Sequence, residues 1–210
     1  GPDHEWVAAV SGRTGGHGCG FCSGQRTSVT NSLQALFPEI AAQWHPTKNG
    51  ELAPADVTTK SNKRIWWKCP VADDHEWTAP PSERTLRSNG CPYCSGHRPS
   101  VTNRLDTQFP EIATEWHPTE NGDLTPADVV AGSAKRVWWK CEVANDHEWQ
   151  TSVSNRTRFG HGCPCCSGLQ ASVTNNLETL FPDVAAQWHP TKNGDPTPAD
   201  VVSGSGKKFW

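Results

Sequence analysis

Methionine is absent from the 210 residues, tyrosine occurs once, and apolar residues make up only 34% of the chain. No stretch approaches the roughly 18 to 20 consecutive apolar residues of a membrane span, and no charged-then-apolar leader opens the sequence. Neither membrane association nor secretion is therefore expected, and the protein reads as soluble and intracellular, in the cytoplasm, nucleoid or nucleus. A basic surplus is lacking too: 19 Lys and Arg face 22 Asp and Glu, for a net charge of -3. That balance argues against a chain that is basic throughout for phosphate binding, but leaves room for a local basic face. With a mean hydropathy of -0.66, one continuous core is not expected. Small units of this polarity need disulfides or metals to offset the entropy of ordering. What the chain has in surplus is eleven Trp and nine Cys, far above ordinary usage.

These residues recur with a fixed period. Cys69 and Cys141 lie 72 positions apart, as do His75 and His147, Cys91 and Cys163, and Cys94 and Cys166. Cys19 and Cys22 precede Cys91 and Cys94 by the same 72, and His4 precedes His75 by 71. The shared text runs K-x-x-W-W-K-C, D-H-E-W, R-T, G-C-x-x-C-S-G, S-V-T-N, F-P-[ED]-[IV]-A, W-H-P-T, N-G and P-A-D-V. Gly1-Pro2 reads as a tag-cleavage remnant. Cut before the Trp-Trp run, the chain divides into repeats 3–59, 60–131 and 132–203, with 204–210 opening another, and is expected to be an excerpt of a longer array.

The pattern predicts small α+β repeats, each a β-hairpin, a knuckle and short helices. Arg64-Ile65-Trp66-Trp67-Lys68 and Arg136-Val137-Trp138-Trp139-Lys140 are β-branched and aromatic runs suited to one strand of a hairpin that returns near His75-Glu76-Trp77. Thr30-Asn31, Thr102-Asn103 and Thr174-Asn175 read as N-caps of short helices carrying Leu33/Phe37, Leu105/Phe109 and Leu177/Phe181 on one face. Asn49-Gly50, Asn121-Gly122 and Asn193-Gly194 mark turns. Trp66 and Trp67 must point to opposite faces of their strand, and packing against a neighbouring repeat is the favoured place for the outer ring.

Zinc prefers four tetrahedral thiolate and imidazole ligands. Two complete Cys3His sets are present: Cys69, His75, Cys91, Cys94, and Cys141, His147, Cys163, Cys166. His4, Cys19 and Cys22 form an incomplete third, whose fourth ligand would be water, His17 or a neighbouring molecule. An odd number of cysteines and no secretory signal disfavour disulfides. Cys165 stands where the other repeats have Phe21 and Tyr93, and reads as a free thiol.

The K-x-x-W-W-K-C, H-E-W, R-T, G-C-P-x-C-S-G, S-V-T-N and F-P-E-I-A-x-x-W-H-P-T-x-N-G text, spanning residues 3 to 210, resembles a family of zinc-ribbon or treble-clef repeat domains, formerly a domain of unknown function. Its members occur in tandem, sometimes beside nuclease-like domains. The resemblance implies compact zinc fingers with a nucleic-acid-binding role. Gly20 in place of the knuckle proline and Cys165 beside Cys166 depart from the pattern.

Modular binding of duplex DNA is the favoured function, within a larger protein that carries further repeats and an effector domain. Arg13, Arg84 and Arg156, Lys63, Lys135 and Lys207, Arg64, Arg136 and Lys208, and Lys68 and Lys140 are the candidate phosphate contacts. Positions that vary between repeats are the candidate base readers: Gln25-Arg26, His97-Arg98, Leu169-Gln170, and Ser32, Arg104, Asn176. The Arg series has a structural alternative, pairing with Glu76 or Glu148 or with carbonyls around the knuckle. A protein-binding scaffold is the second class, supported by the acidic balance with Glu39, Glu111, Asp183 and the P-A-D-V turns; single-stranded DNA or RNA is a variant of the first. A nuclease built on His45, His117 and His189 with a nearby Asn is disfavoured, because a catalytic site is seldom copied into every repeat. The chain is expected not to be an enzyme.

Overall fold

Proline decides how the apolar segments fold. The computed structural model describes residues 1–210, and the chain divides into two compact units, Gly1–Thr102 and Asn103–Trp210. In the first unit a short helix, α1 (Val10–Thr14), precedes the first Cys-x-x-Cys turn. The apolar segment that follows is not one helix. Leu33–Leu36 (α2) stops at Phe37, and Pro38, which has no N–H to donate and a φ already suited to a first turn, starts Pro38–Ala41 (α3). A 3-10 turn at Pro54–Asp56 leads to the hairpin β1 (Ile65–Lys68) and β2 (Glu76–Ala79), and Pro81 opens α4 (Pro81–Leu86).

The hairpin is antiparallel, with Ile65 opposite Ala79 and Trp67 opposite Trp77. Alternation does the sorting: Ile65 and Trp67 are buried, while Trp66 on the other face is 37% exposed. The Lys48 ammonium lies 4.7 Å from the Trp66 ring centre, so this outer ring has a companion within its own unit. A third chain segment lines the free edge of β1, where His45 N–H donates to Trp66 O at 3.0 Å and Lys68 N–H to Gln43 O at 2.8 Å. Asn49 completes that edge with its side chain. Its Oδ1 accepts from Trp66 N–H at 2.8 Å and its Nδ2 donates to Trp66 O at 2.9 Å. The following Gly50 has φ +61, which a β-carbon would strain. The Asn-Gly pairs are thus turns that also pair with a strand.

The second unit repeats the plan with α5 (Leu105–Gln108), α6 (Pro110–Ala113), a 3-10 turn at Pro126–Asp128, β3 (Arg136–Lys140), β4 (Glu148–Ser152) and α7 (Val153–Thr157). Asn121 pairs with Trp138 as Asn49 does with Trp66. A further helical segment follows, α8 (Leu177–Leu180) and α9 (Pro182–Ala185), with a 3-10 turn at Pro198–Asp200.

Packing bears on two sequence expectations. The first core joins Leu33, Val57, Ile65, Trp67 and Trp77, with Phe37, Ile40, Trp44 and Leu52 against it. The second joins Leu105, Val129, Val137, Trp139 and Trp149. Each helical segment therefore packs on the hairpin that follows it, across the divisions at 59/60 and 131/132, and the two cores begin at Leu33 and Leu105. The caps move as well. Ser32 Oγ accepts from Ala35 N–H at 3.2 Å and Asn176 Oδ1 from Thr179 N–H at 2.7 Å, so the residues after the Thr-Asn pairs do the capping. Arg104, at the same position, has no cap bond and instead holds Asp106 at 2.7 Å.

Candidate metal centre and the surfaces around it

Each ligand comes from a chain reversal. Cys69 directly follows β1, and its N–H donates to His75 O at 3.0 Å, closing the loop that brings the Cys-x5-His pair together. The knuckle folds back where Ser95 N–H reaches Cys91 O at 3.1 Å and Gly96 adopts φ +74. Cys69 Sγ then lies 3.7 Å from Cys94 Sγ, and His75 Nδ1 lies 3.6 Å from Cys91 Sγ and 3.5 Å from Cys94 Sγ. The second unit gives 3.7 Å for Cys141 and Cys166, and 3.6 and 3.5 Å from His147 Nδ1 to Cys163 and Cys166.

These spacings fit zinc. A tetrahedron with bonds of about 2.3 Å to sulfur and about 2.0–2.1 Å to nitrogen has edges of about 3.8 Å between sulfurs and about 3.6 Å from sulfur to nitrogen. Disulfides, at about 2.05 Å, are excluded by the same distances, and all nine cysteines are free. The imidazole is oriented for the metal. His75 Nε2 faces Ser100 Oγ at 2.9 Å and Thr102 Oγ1 at 3.1 Å, and His147 Nε2 faces Ser172 and Thr174, both at 3.0 Å, leaving Nδ1 to coordinate. Asp74 and Asp146 fix the same segment by accepting from Val101 N–H at 2.8 Å and Val173 N–H at 2.7 Å. Thr102 and Thr174 therefore serve the metal ligand, not a helix cap.

Without a cation the cluster favours neutral thiols. Burial, then hydrogen bonds among the neighbouring thiols, pushes Cys94 and Cys166 up to about 12. Zinc binds thiolate and reverses that balance, fastening strand end to knuckle with a closed, structural ligand set. His4, Cys19 and Cys22 gather in the same way, with Nδ1 to Sγ separations of 3.7 and 3.5 Å. Exposed His17 is not in that group. Cys165 is fully buried; burial and the neighbouring Cys163 raise it to about 11. Tyr93 and Phe21, at its position, stack on His75 and His4 at 5.0 Å.

The family description Probable Treble clef zinc finger domain matches residues 40–97 and 112–169, more than half of the chain. The chain belongs to this family. Compared with curated proteins, it gives no match. Both matches start in the helical segment and end just after the knuckle, the order in which the treble-clef modules pack.

Around the fingers, the candidate phosphate contacts separate into two groups. Arg84 and Arg156 are only 5% and 6% exposed, each sandwiched between tryptophans: Arg84 lies 4.7 Å over Trp67 and 5.2 Å over Trp77, and Arg156 4.9 Å over Trp139 and 5.2 Å over Trp149. Arg84 donates to Gln43 Oε1 at 2.8 Å and Arg156 to Glu115 Oε2 at 2.7 Å. They are core cations, and their expected partners Glu76 and Glu148 are elsewhere. Lys68 is engaged by Asp73 at 3.2 Å and Lys140 by Glu148 at 2.7 Å.

Lys63, Lys135, Lys207 and Lys208 are exposed. So are Arg64 and Arg136, though each also bonds the opposite strand, at Thr78 Oγ1 (3.0 Å) and Gln150 O (2.9 Å). Exposed Arg13 rests 5.4 Å from the Trp6 ring. Among the variable positions, Gln25, Arg26, His97, Arg98, Leu169 and Gln170 face solvent, whereas Ser32 and Asn176 are buried caps, which removes those two as base readers, and half-buried Arg104 is ion-paired with Asp106.

His45 and His117 are buried staples. Nδ1 of His45 accepts from Thr47 and Lys48 N–H, both at 3.2 Å, and Nε2 sits 3.1 Å from Glu76 Oε1 without the alignment of a hydrogen bond. His117 repeats this with Thr119, Glu120 and Glu148. Lys48, then His45, hold the Glu76 carboxyl below its usual range, as Lys140, then His117, do for Glu148.

Proposed function

We propose that the chain is a DNA-binding array whose treble-clef fingers read duplex DNA one after another, as a segment of a larger intracellular protein with further repeats and an effector domain. One observation carries the reading. The cation pair at the entrance to the hairpin strand recurs exposed in each complete unit, as Lys63-Arg64 and Lys135-Arg136, with Lys207-Lys208 at the same repeat position. Exposed cations present in every unit suit a polymer that carries phosphates along its length, and the exposed residues after each knuckle, which differ between repeats, suit sequence reading.

We assign no catalytic role to His45 and His117. Nδ1 of each ring accepts from two backbone N–H groups and Nε2 is buried beside a glutamate, which supports a structural role. A protein-binding scaffold is the second reading, favoured by the net charge of -3 and by the internal pairing of Lys68 and Lys140. The 37% exposed Trp66 ring favours single-stranded nucleic acid among the variants of the first reading. No helix is long and apolar enough to cross a membrane.

Salt titration decides between them. If the four cations of the two complete units meet phosphates, log K for duplex DNA falls against log salt with a slope of about -3.6, and K63A/R64A reduces it by about 2. A flat response rejects phosphate contact as the driving force and hands the surface to the scaffold reading.

A further inference from the structure

The same groove opens in both complete units, between the return strand of the hairpin and the zinc knuckle. In the first unit it encloses about 490 Å³ and in the second about 660 Å³. Its frame is shared: Trp77, Gly90, Pro92 and Ser95 in one, Trp149, Gly162, Pro164 and Ser167 in the other, each 72 positions apart. The frame tryptophans are buried by the core and the frame backbone is fixed by the knuckle, so zinc holds the shape.

Besides buried Ala79, which becomes Thr151, four further lining positions change. Thr78, Asn89, His97 and Arg98 in the first groove are replaced by Gln150, His161, Leu169 and Gln170 in the second. They come from two places in the sequence, the strand and the knuckle with its approach, and only the fold gathers them around one opening. Asn89, His97, Arg98, Gln150, His161, Leu169 and Gln170 are exposed, and Thr78 is half-buried. Arg, Asn and Gln are the side chains whose paired donors and acceptors match base edges, and Leu offers an apolar contact of the kind a thymine methyl takes. A constant frame with an exchanged lining is what a modular reader requires, because the frame fixes pose and the lining fixes preference.

We infer that this groove is the base-reading subsite of each finger, receiving a base edge of duplex DNA, with Thr78, Asn89, His97 and Arg98 setting the preference of the first unit and Gln150, His161, Leu169 and Gln170 that of the second. The inference rests on the DNA-binding reading and adds to it residues 78, 89, 150 and 161, which the post-knuckle pairs alone do not include.

A graft tests it in the full chain. Thr78→Gln, Asn89→His, His97→Leu and Arg98→Gln convert these four lining positions of the first groove to those of the second, leaving all zinc ligands in place. Zinc content equal to that of the parent shows that the graft is folded; as a smaller second variant, Gln150→Ala changes one exposed lining residue. Parent and variants are each selected against a random duplex library. The expected result is a parent motif with two different subsites that the graft makes alike, with the salt slope unchanged, and a loss of about 10-fold or more in preference at the second subsite in Gln150→Ala. An unchanged motif in folded variants, from a parent that selects one, overturns the groove assignment and leaves DNA binding intact. A parent that enriches no duplex overturns the DNA reading, and the groove assignment falls with it.

Discussion

Replacing Arg156 with Met separates a core cation from a phosphate contact. Methionine keeps much of the length of the stem but removes the charge-assisted bond to Glu115 at 2.7 Å, a bond of a kind that contributes about 1.5–3 kcal/mol. It also removes the guanidinium from between Trp139 and Trp149, where a desolvated cation–π contact contributes up to about 2 kcal/mol. Two effects offset this: the guanidinium no longer has to be desolvated, and Glu115, 30% exposed, regains water. The net expectation is a loss of about 2–3 kcal/mol confined to the second unit. For a unit of this size, with a urea dependence of about 1–3 kcal/mol per molar, the midpoint falls by about 1–2 M. Tryptophan fluorescence in urea, with zinc present, should turn from one transition into two as the second unit separates from the first. Duplex affinity without urea should stay close to that of the parent. An unmoved midpoint together with a salt slope reduced by about 1 would show that Arg156 meets phosphate and would refute the buried sandwich.

Three further outcomes follow from the same geometry. Ser100→Ala combined with Thr102→Val removes both partners of His75 Nε2 and should weaken zinc binding at the first complete site by about 10- to 100-fold, measured by competition with a chromophoric chelator, with the second site unchanged. Asp128 is held below the ordinary carboxylate range by bonds from Thr125 Oγ1 at 2.6 Å and Thr125 N–H at 2.9 Å; its carbon-13 carboxyl shift should titrate below about 3.9. A depressed folded value means that the stabilisation is present above the unfolded pKa and is lost as pH falls through the folded one, and Thr125→Val should move the midpoint up. Trp67→Ala should cost about 3–5 kcal/mol, whereas Trp66→Ala, on the exposed face, should cost under half as much, read from the same urea curves.

The ligand sets were legible in the sequence because metal coordination demands residue types at fixed spacing, and a 72-residue self-match repeats the demand. The hairpins were legible from β-branched and aromatic runs. The start of the module was not, because a periodic sequence has no origin: the same text can be cut anywhere, and only the packing of Leu33, Phe37 and Trp44 on the following Trp67 chooses the phase. Arg84 was visible as a repeated cation, but its neighbours Trp67 and Trp77 lie 17 and 7 positions away, so the sandwich exists only after β1 and β2 pair. The Thr102-Asn103 pair looked like cap chemistry, and nothing singled out Ser100 before it. The Ser100 and Thr102 hydroxyls instead meet a histidine 25 and 27 residues earlier, a contact no local rule anticipates.

Zinc content measured alongside folding tests the central claim most directly. Purified protein should contain at least two zinc ions per chain in the Cys3His sites, and removing them should forfeit a binding free energy on the order of 10–16 kcal/mol per site and unfold both hairpins, seen as loss of dispersed tryptophan indole resonances. Retention of those resonances in metal-free protein would contradict the account.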